Sequence, residues 1–240
     1  MTRRRWIADE YTAGTAALTG AHAAHLARVL RASAGESCDV SAGGSVRHAV
    51  ITSVTEQRVE FSLGEAVEGC ALHPVTMVLA IFKFDRYEWA VEKCTELGAD
   101  RILPLISRRS DAHLAQAAAK RTERWNRIAA QASEQSRRVT PPEILAPMRL
   151  KALLAGNSPV AGHARIVLAE NESMVQLLDL LDGNQPQPVA LAVGPEGGWS
   201  DEELAMMDEA GWRRASLGPT ILRAETAAVA SLAVARAALL

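Results

Sequence analysis

From Val75 onward, short continuous apolar runs alternate with amphipathic stretches, and no other feature of the chain constrains its fold as strongly. The runs at 75–82, 102–106, 165–169 and 189–193 place apolar residues at successive positions instead of at every second one. Strands of that kind must be covered on both faces, which predicts an α/β domain over 73–240 built on a parallel sheet between helices. Two helix starts are legible. Asp85-Arg86-Tyr87-Glu88 and Ser200-Asp201-Glu202-Glu203 each put an acceptor at the expected N-cap and a Glu three residues on, the spacing of a capping box. Tyr87, Ala90, Val91, Cys94 and Leu97 then share one helical face, and Gly98 and Gly211 supply the stops.

Residues 1–72 follow a different pattern. A helical segment over 21–31 precedes two stretches of strict alternation, Val46-Arg47-His48-Ala49-Val50 and Val59-Glu60-Phe61-Ser62-Leu63, joined through the polar turn Thr55-Glu56-Gln57-Arg58. A period of two marks half-buried strands, so this part is expected to be a small, mostly β domain, with 64–74 as a linker.

With 240 residues, 48% of them hydrophobic, the chain can bury one large core or two smaller ones. No apolar core of a secretory signal follows the basic start Met1-Thr2-Arg3-Arg4-Arg5-Trp6, and the apolar tail 226–240 is shorter than a bilayer span and broken by Ser231 and Arg236. These features predict a cytoplasmic protein without a membrane partner. Cys38, Cys70 and Cys94 lack metal or disulfide spacing, and His22 and His25 have no acidic or cysteine partner at ligand spacing, so no metal is expected. Formal net charge is only -2, yet 108–138 holds eight cationic residues against three acidic ones. Such a patch can grip phosphates or be an ordinary solvated helix face.

Two unusual loops occupy the last fifth of the chain. Gly194-Pro195-Glu196-Gly197-Gly198 and Leu217-Gly218-Pro219-Thr220-Ile221-Leu222-Arg223-Ala224-Glu225-Thr226 each follow an apolar run and precede a helical one. Ligands of open α/β sheets bind beyond the carboxyl ends of strands, so the two loops are expected to build one pocket. The first matches neither dinucleotide-binding nor P-loop spacing, and Glu196 would set a carboxylate beside any phosphate. A ligand with adenine, ribose and a positive centre suits it better. In the second, Glu225 fits the positive end of a helix, whereas Arg223 opposes it, so Arg223 is expected either to pair with Glu225 or Glu196 or to face an anionic ligand.

These segments resemble the carboxyl-terminal motifs of the SPOUT class of methyltransferases, in particular the RsmE family. Supporting similarities are His25, Val29, Leu30 and Arg31 near the amino terminus, the stretch from Lys83 through Arg86 and Glu88 to Glu96-Leu97-Gly98, and Glu134-Gln135-Ser136-Arg137-Arg138. Phe84 and Arg137 depart from the family pattern, standing where many relatives have Gly. The resemblance implies a PUA-like β-barrel followed by a domain with a carboxyl-terminal trefoil knot, and a homodimer. It also implies methylation of N3 of a uridine in 16S ribosomal RNA of the small subunit, with S-adenosylmethionine as cofactor.

Carried onto this chain, the cofactor residues are Leu168, Glu170, Val193, Gly194, Glu196, Gly197, Gly198, Leu217, Gly218, Ile221 and Leu222. Arg223, Glu225 and Thr226 are the catalytic candidates; Arg223 would stabilise charge on the base, and Glu225 or Glu196 would take a proton or tie loops together. RNA contacts are expected from Arg3, Arg4, Arg5, Arg31, Arg108, Arg109, Arg137 and Arg138. Among the tryptophans, Trp125 lies amid Arg121, Arg124 and Arg127 and is the best candidate to stack on RNA; the rest are expected to pack. A non-catalytic RNA-binding module would have no use for the Glu196 loop.

Overall fold

A computed structural model describes residues 5–67, 72–136, 138–181 and 185–239. The chain divides into two units, Met1–Ala71 with Ser133–Thr140 and Leu72–Ala132 with Pro141–Leu240. The division differs from a single cut near residue 72 in assigning Ser133–Thr140 to the first unit.

In the first unit the alternating segments form a six-stranded sheet of β1 (Arg5–Ile7), β2 (Glu10–Tyr11), β3 (Thr15–Thr19), β4 (Ser37–Ala42), β5 (Ser45–Val54) and β6 (Arg58–Ala66). Its order is β1-β4-β5-β6-β3-β2, with β1 parallel to β4 and the other pairs antiparallel. The two edge strands are nearly continuous in sequence. Ala8 N donates to Ser41 O at 2.9 Å and Asp9 N to Ala17 O at 3.0 Å, so the amino-terminal chain passes from one edge to the other and the sheet curls on itself. Leu18, Val40, Ile51, Val59 and Phe61 fill its interior.

The helix expected over 21–31 is shorter and irregular. It comprises α1 (Gly20–Ala24) and a π-helical turn (His25–Val29), after which Arg31 takes φ of 51°. An apolar period cannot reveal a π turn, because the local change in winding depends on packing beneath it. His22 stands between Asp9 and Glu134, 3.2 Å from each, and Ser41 Oγ donates to Val139 O, which explains how Ser133–Thr140 joins this unit.

The second unit holds β7 (Val75–Ala80), α2 (Phe84–Glu96), β8 (Arg101–Ile106), α3 (Ala112–Gln135, whose last turn belongs to the first unit), β9 (Glu143–Ile144), β10 (Met148–Arg149), α4 (Leu150–Leu153), β11 (Ala164–Leu168), β12 (Val189–Val193), α5 (Asp201–Glu209), β13 (Arg213–Ala215) and α6 (Ala224–Ala238). Its strands run parallel in the order β10-β8-β7-β12-β11-β13, with β9 beside β8. One face packs against Tyr87, Val91, Trp125 and Leu232 and the other against Leu153, Leu204, Met207 and Trp212, giving the double cover that the continuous apolar runs require.

Several details correct the sequence reading. The Ser200 capping box forms, Ser200 N donating to Glu203 Oε2 at 3.0 Å and Glu203 N to Ser200 Oγ at 3.3 Å. The Asp85 box does not: α2 starts two residues earlier, at Phe84, with Lys83 at its N-cap and no side-chain cap. Glu88 is drawn away by Arg124, at 2.7 and 2.8 Å, and by Arg121 at 3.3 Å. Trp125 is fully buried, 4.7 Å from the Tyr87 ring and 6.1 Å from that of Phe84, and cannot stack on RNA. The residues Ala228, Leu232 and Ala235 of α6 pack inside its own unit. Burial pushes the thiols of Cys38 and Cys94 up to about 11 and about 12, while Cys70 lies outside the described residues. Among the described residues no helix is long and apolar enough to cross a membrane.

Candidate active site

Three parallel strands lie side by side as β12-β11-β13, so the loops leaving their carboxyl ends meet at one edge of the sheet. Together they wall a cavity of about 490 Å³, within the range of small-molecule sites. From the end of β11 come Leu168 and Glu170; from β12 come Val193, Gly194, Glu196 and Gly198; from the loop after β13 come Leu217, Gly218, Ile221, Leu222 and Arg223. Gly197, Glu225 and Thr226 are near in sequence but do not line the cavity.

Glycine is needed here for definite reasons. A Cβ on Gly194 would come within 3.1 Å of the Trp199 indole nitrogen, and that nitrogen donates to Leu168 O at 3.0 Å, tying the glycine loop to the end of β11. Gly218 has φ of 116°, in the region that favours glycine, and its N–H donates to Ser216 Oγ at 3.1 Å. The third loop is held further by a bridge between Gln176 and Ser216, with Leu177 N donating to Ser216 O at 2.9 Å.

Two arginines from outside these loops brace the glycine turn. Arg86, on the first turn of α2, donates from Nη1 to Glu196 Oε1 at 2.6 Å and holds Nε 3.8 Å from Glu225 Oε1. Arg109, in the loop after β8, donates from Nη1 to the carbonyls of Gly197 at 2.7 Å and Trp199 at 3.1 Å. The same loop is fastened by Arg108 N donating to the buried Glu203 carboxylate at 2.7 Å. Arg109 is therefore part of the cavity wall, and its side chain is exposed. Arg86 was not singled out from the sequence as a site residue; the only signal was its place in the stretch from Lys83 to Glu88.

Arg223 departs from the pairing considered for it. Glu196 and Glu225 both turn to Arg86, and the exposed Arg223 side chain has no hydrogen bond or ion pair to any described residue. It stands at the N-cap of α6 with its charge available to the cavity. Glu225 is 9% exposed and Thr226 is exposed on the first turn.

Of the expected RNA contacts, Arg3, Arg4 and Arg137 lie outside the described residues. Arg5 is half-buried on β1, Arg31 is exposed after the π turn, Arg108 is exposed and paired with Glu202, and Arg138 Nε donates to Thr140 O at 3.2 Å. Among the described residues, no group of three or more His, Cys, Asp or Glu could hold a metal ion.

Known proteins match both the whole chain and this domain. The family model for an RNA methyltransferase domain matches residues 70–236. A ribosomal RNA small subunit methyltransferase E from Synechocystis sp. is 32% identical over 226 residues, which cover 94% of this chain and 74% of that protein. The crystal structure of a ribosomal RNA small subunit methyltransferase E from Neisseria gonorrhoeae bound to S-adenosyl methionine has a TM-score of 0.81 at 28% identity, covering 97% of this chain and 96% of that one. A Legionella pneumophila structure in complex with the bound cofactor SAM has a TM-score of 0.81 at 30% identity, covering 99% and 98%. On this agreement in sequence and fold, the chain belongs to the ribosomal RNA small subunit methyltransferase E family of RNA methyltransferases.

Proposed function

We propose that this protein uses S-adenosylmethionine to methylate N3 of a uridine in 16S ribosomal RNA of the small ribosomal subunit. The observation that carries the reading is the cavity of about 490 Å³ at the strand ends, walled by glycine loops and lined by Arg223, which has no side-chain hydrogen-bond or ion-pair partner among the described residues. The cavity suits the cofactor. Backbone at Gly194 and Gly218 allows close approach, Leu168 and Leu222 offer apolar surface for an adenine, and Glu170 and Glu196 bring negative charge for a sulfonium. When bound, S-adenosylmethionine supplies a methyl group activated by its positively charged sulfur.

The protein's residues then position and stabilise. Arg223 holds the uracil carbonyl oxygens and offsets the negative charge that grows on them as the N3 proton leaves. Thr226, on the exposed side of the same turn, orients the base. Glu225 or Glu196 takes the proton or ties the loops together; of the two, Glu196 lines the cavity. Arg31, Arg108, Arg109 and Arg138, with Arg3, Arg4, Arg5 and Arg137, contact phosphates. The remainder of the reading is a trefoil knot formed by the cavity loops, a domain boundary near residue 72, a cytoplasmic protein and a homodimer, the last supported by apolar Ile221, 81% exposed beside the cavity.

Calorimetric titration with S-adenosylmethionine, with ATP and NAD as controls, tests the cofactor assignment. Saturable binding of the first alone is expected; binding of ATP or NAD in its place contradicts the reading.

A further inference from the structure

Glu225 and Glu196 differ in everything except their shared neighbour. Glu196 belongs to the glycine loop and faces the cavity, half-exposed; Glu225 is fixed on α6, buried behind the wall, and its Oε2 has no hydrogen-bond partner among the described residues. A buried carboxylate is costly unless a cation and the helix N-terminus offset it. Arg86 is the one cation among the described residues within ion-pair distance of Glu225, and the same guanidinium grips Glu196 at 2.6 Å.

We propose that Arg86 is a positioning residue that acts through Glu196. The rigid Glu225 anchors the guanidinium, and the guanidinium sets the place of the loop carboxylate against the cavity. A planar fork with donors on separate nitrogens can span the two carboxylates, whereas a lysine ammonium is a single point and satisfies one at a time. This role rests on the methyl-transfer reading above, and nothing in the glycine motifs themselves points to it, because Arg86 comes from a distant helix.

The test compares Arg86→Gln, Arg86→Lys, Glu196→Gln and the double variant Arg86→Gln/Glu196→Gln in the full chain. Single-turnover methyl transfer to small ribosomal subunits is measured with S-adenosylmethionine, and thermal unfolding is followed in parallel. Arg86→Gln and Glu196→Gln are each expected to slow transfer by about 10-fold to 100-fold, the cost typical of a reacting group slightly misplaced. Since Arg86 acts through Glu196, the double variant should be no slower than the slower single one. Arg86→Lys, which keeps the charge and guards against a simple folding defect, should recover only part of the rate. Full recovery by lysine, a wild-type rate in Arg86→Gln, or multiplying losses in the double variant would overturn the role while leaving methyl transfer by the wild type intact. A wild-type protein that transfers no methyl group overturns the underlying reading, and with it this role.

Discussion

The Trp199 indole donates to the Leu168 carbonyl at 3.0 Å, so a side chain from the glycine loop secures the end of the neighbouring strand. The ring is so close to Gly194 that an added Cβ would meet it at 3.1 Å. Gly194→Ala should push the indole out and break this tie. Overpacking of this kind costs about 1–3 kcal/mol, and S-adenosylmethionine affinity should fall by about tenfold, visible in denaturant titration and calorimetry respectively. Unchanged affinity would remove Gly194 from the cofactor wall.

The Arg223 side chain has no hydrogen-bond or ion-pair partner among the described residues. Arg223→Ala should therefore leave unfolding and cofactor binding near wild type. Turnover on ribosomal subunits should drop by about 100-fold to 1,000-fold, as for loss of a donor aimed at developing charge. A parallel loss of cofactor affinity would instead place Arg223 in ground-state binding.

The two helix starts make opposite predictions. Ser200→Ala removes a cap that is present and should cost about 1 kcal/mol, whereas Asp85→Ala removes no cap. Equal destabilisation by both changes would contradict the assigned helix starts.

Burial lowers the pKa of His163, and the nearby Arg101 and Arg165 charges add to this; its Nε2 lies 3.3 Å from Thr76 Oγ1. A histidine held neutral in the fold binds protons more readily once unfolded. Stability from this group is thus complete above the ordinary histidine range, about pH 6.5, and is lost as pH falls below it toward the lowered folded value. In denaturant titrations at pH 7.5 and 5.5, His163→Gln should lose less stability across that interval than wild type does. An equal loss would mean that other groups govern acid sensitivity.

The strands were legible because burial on both faces leaves a mark in every residue of 75–80 and 189–193. The loops were legible because glycine tolerates conformations and approaches that other residues do not, as at Gly194 and Gly218. What the sequence concealed were choices among partners. Glu88 has the spacing of a cap yet meets Arg121 and Arg124 from α3, and Arg109 sits in a basic run yet donates from Nη1 to two carbonyls of the glycine turn. Trp125 is surrounded by arginines in sequence, but α3 turns them outward and the indole inward. Arg86 lies over a hundred positions from the loop it braces, a separation that no local pattern reports.

The most direct test is to supply the purified protein with methyl-labelled S-adenosylmethionine and small ribosomal subunits lacking the modification, then identify labelled nucleosides by mass spectrometry. The account predicts label as N3-methyluridine in 16S ribosomal RNA, abolished or nearly so in Arg223→Ala. Absence of label with wild type, or label on a base other than uridine, would contradict it.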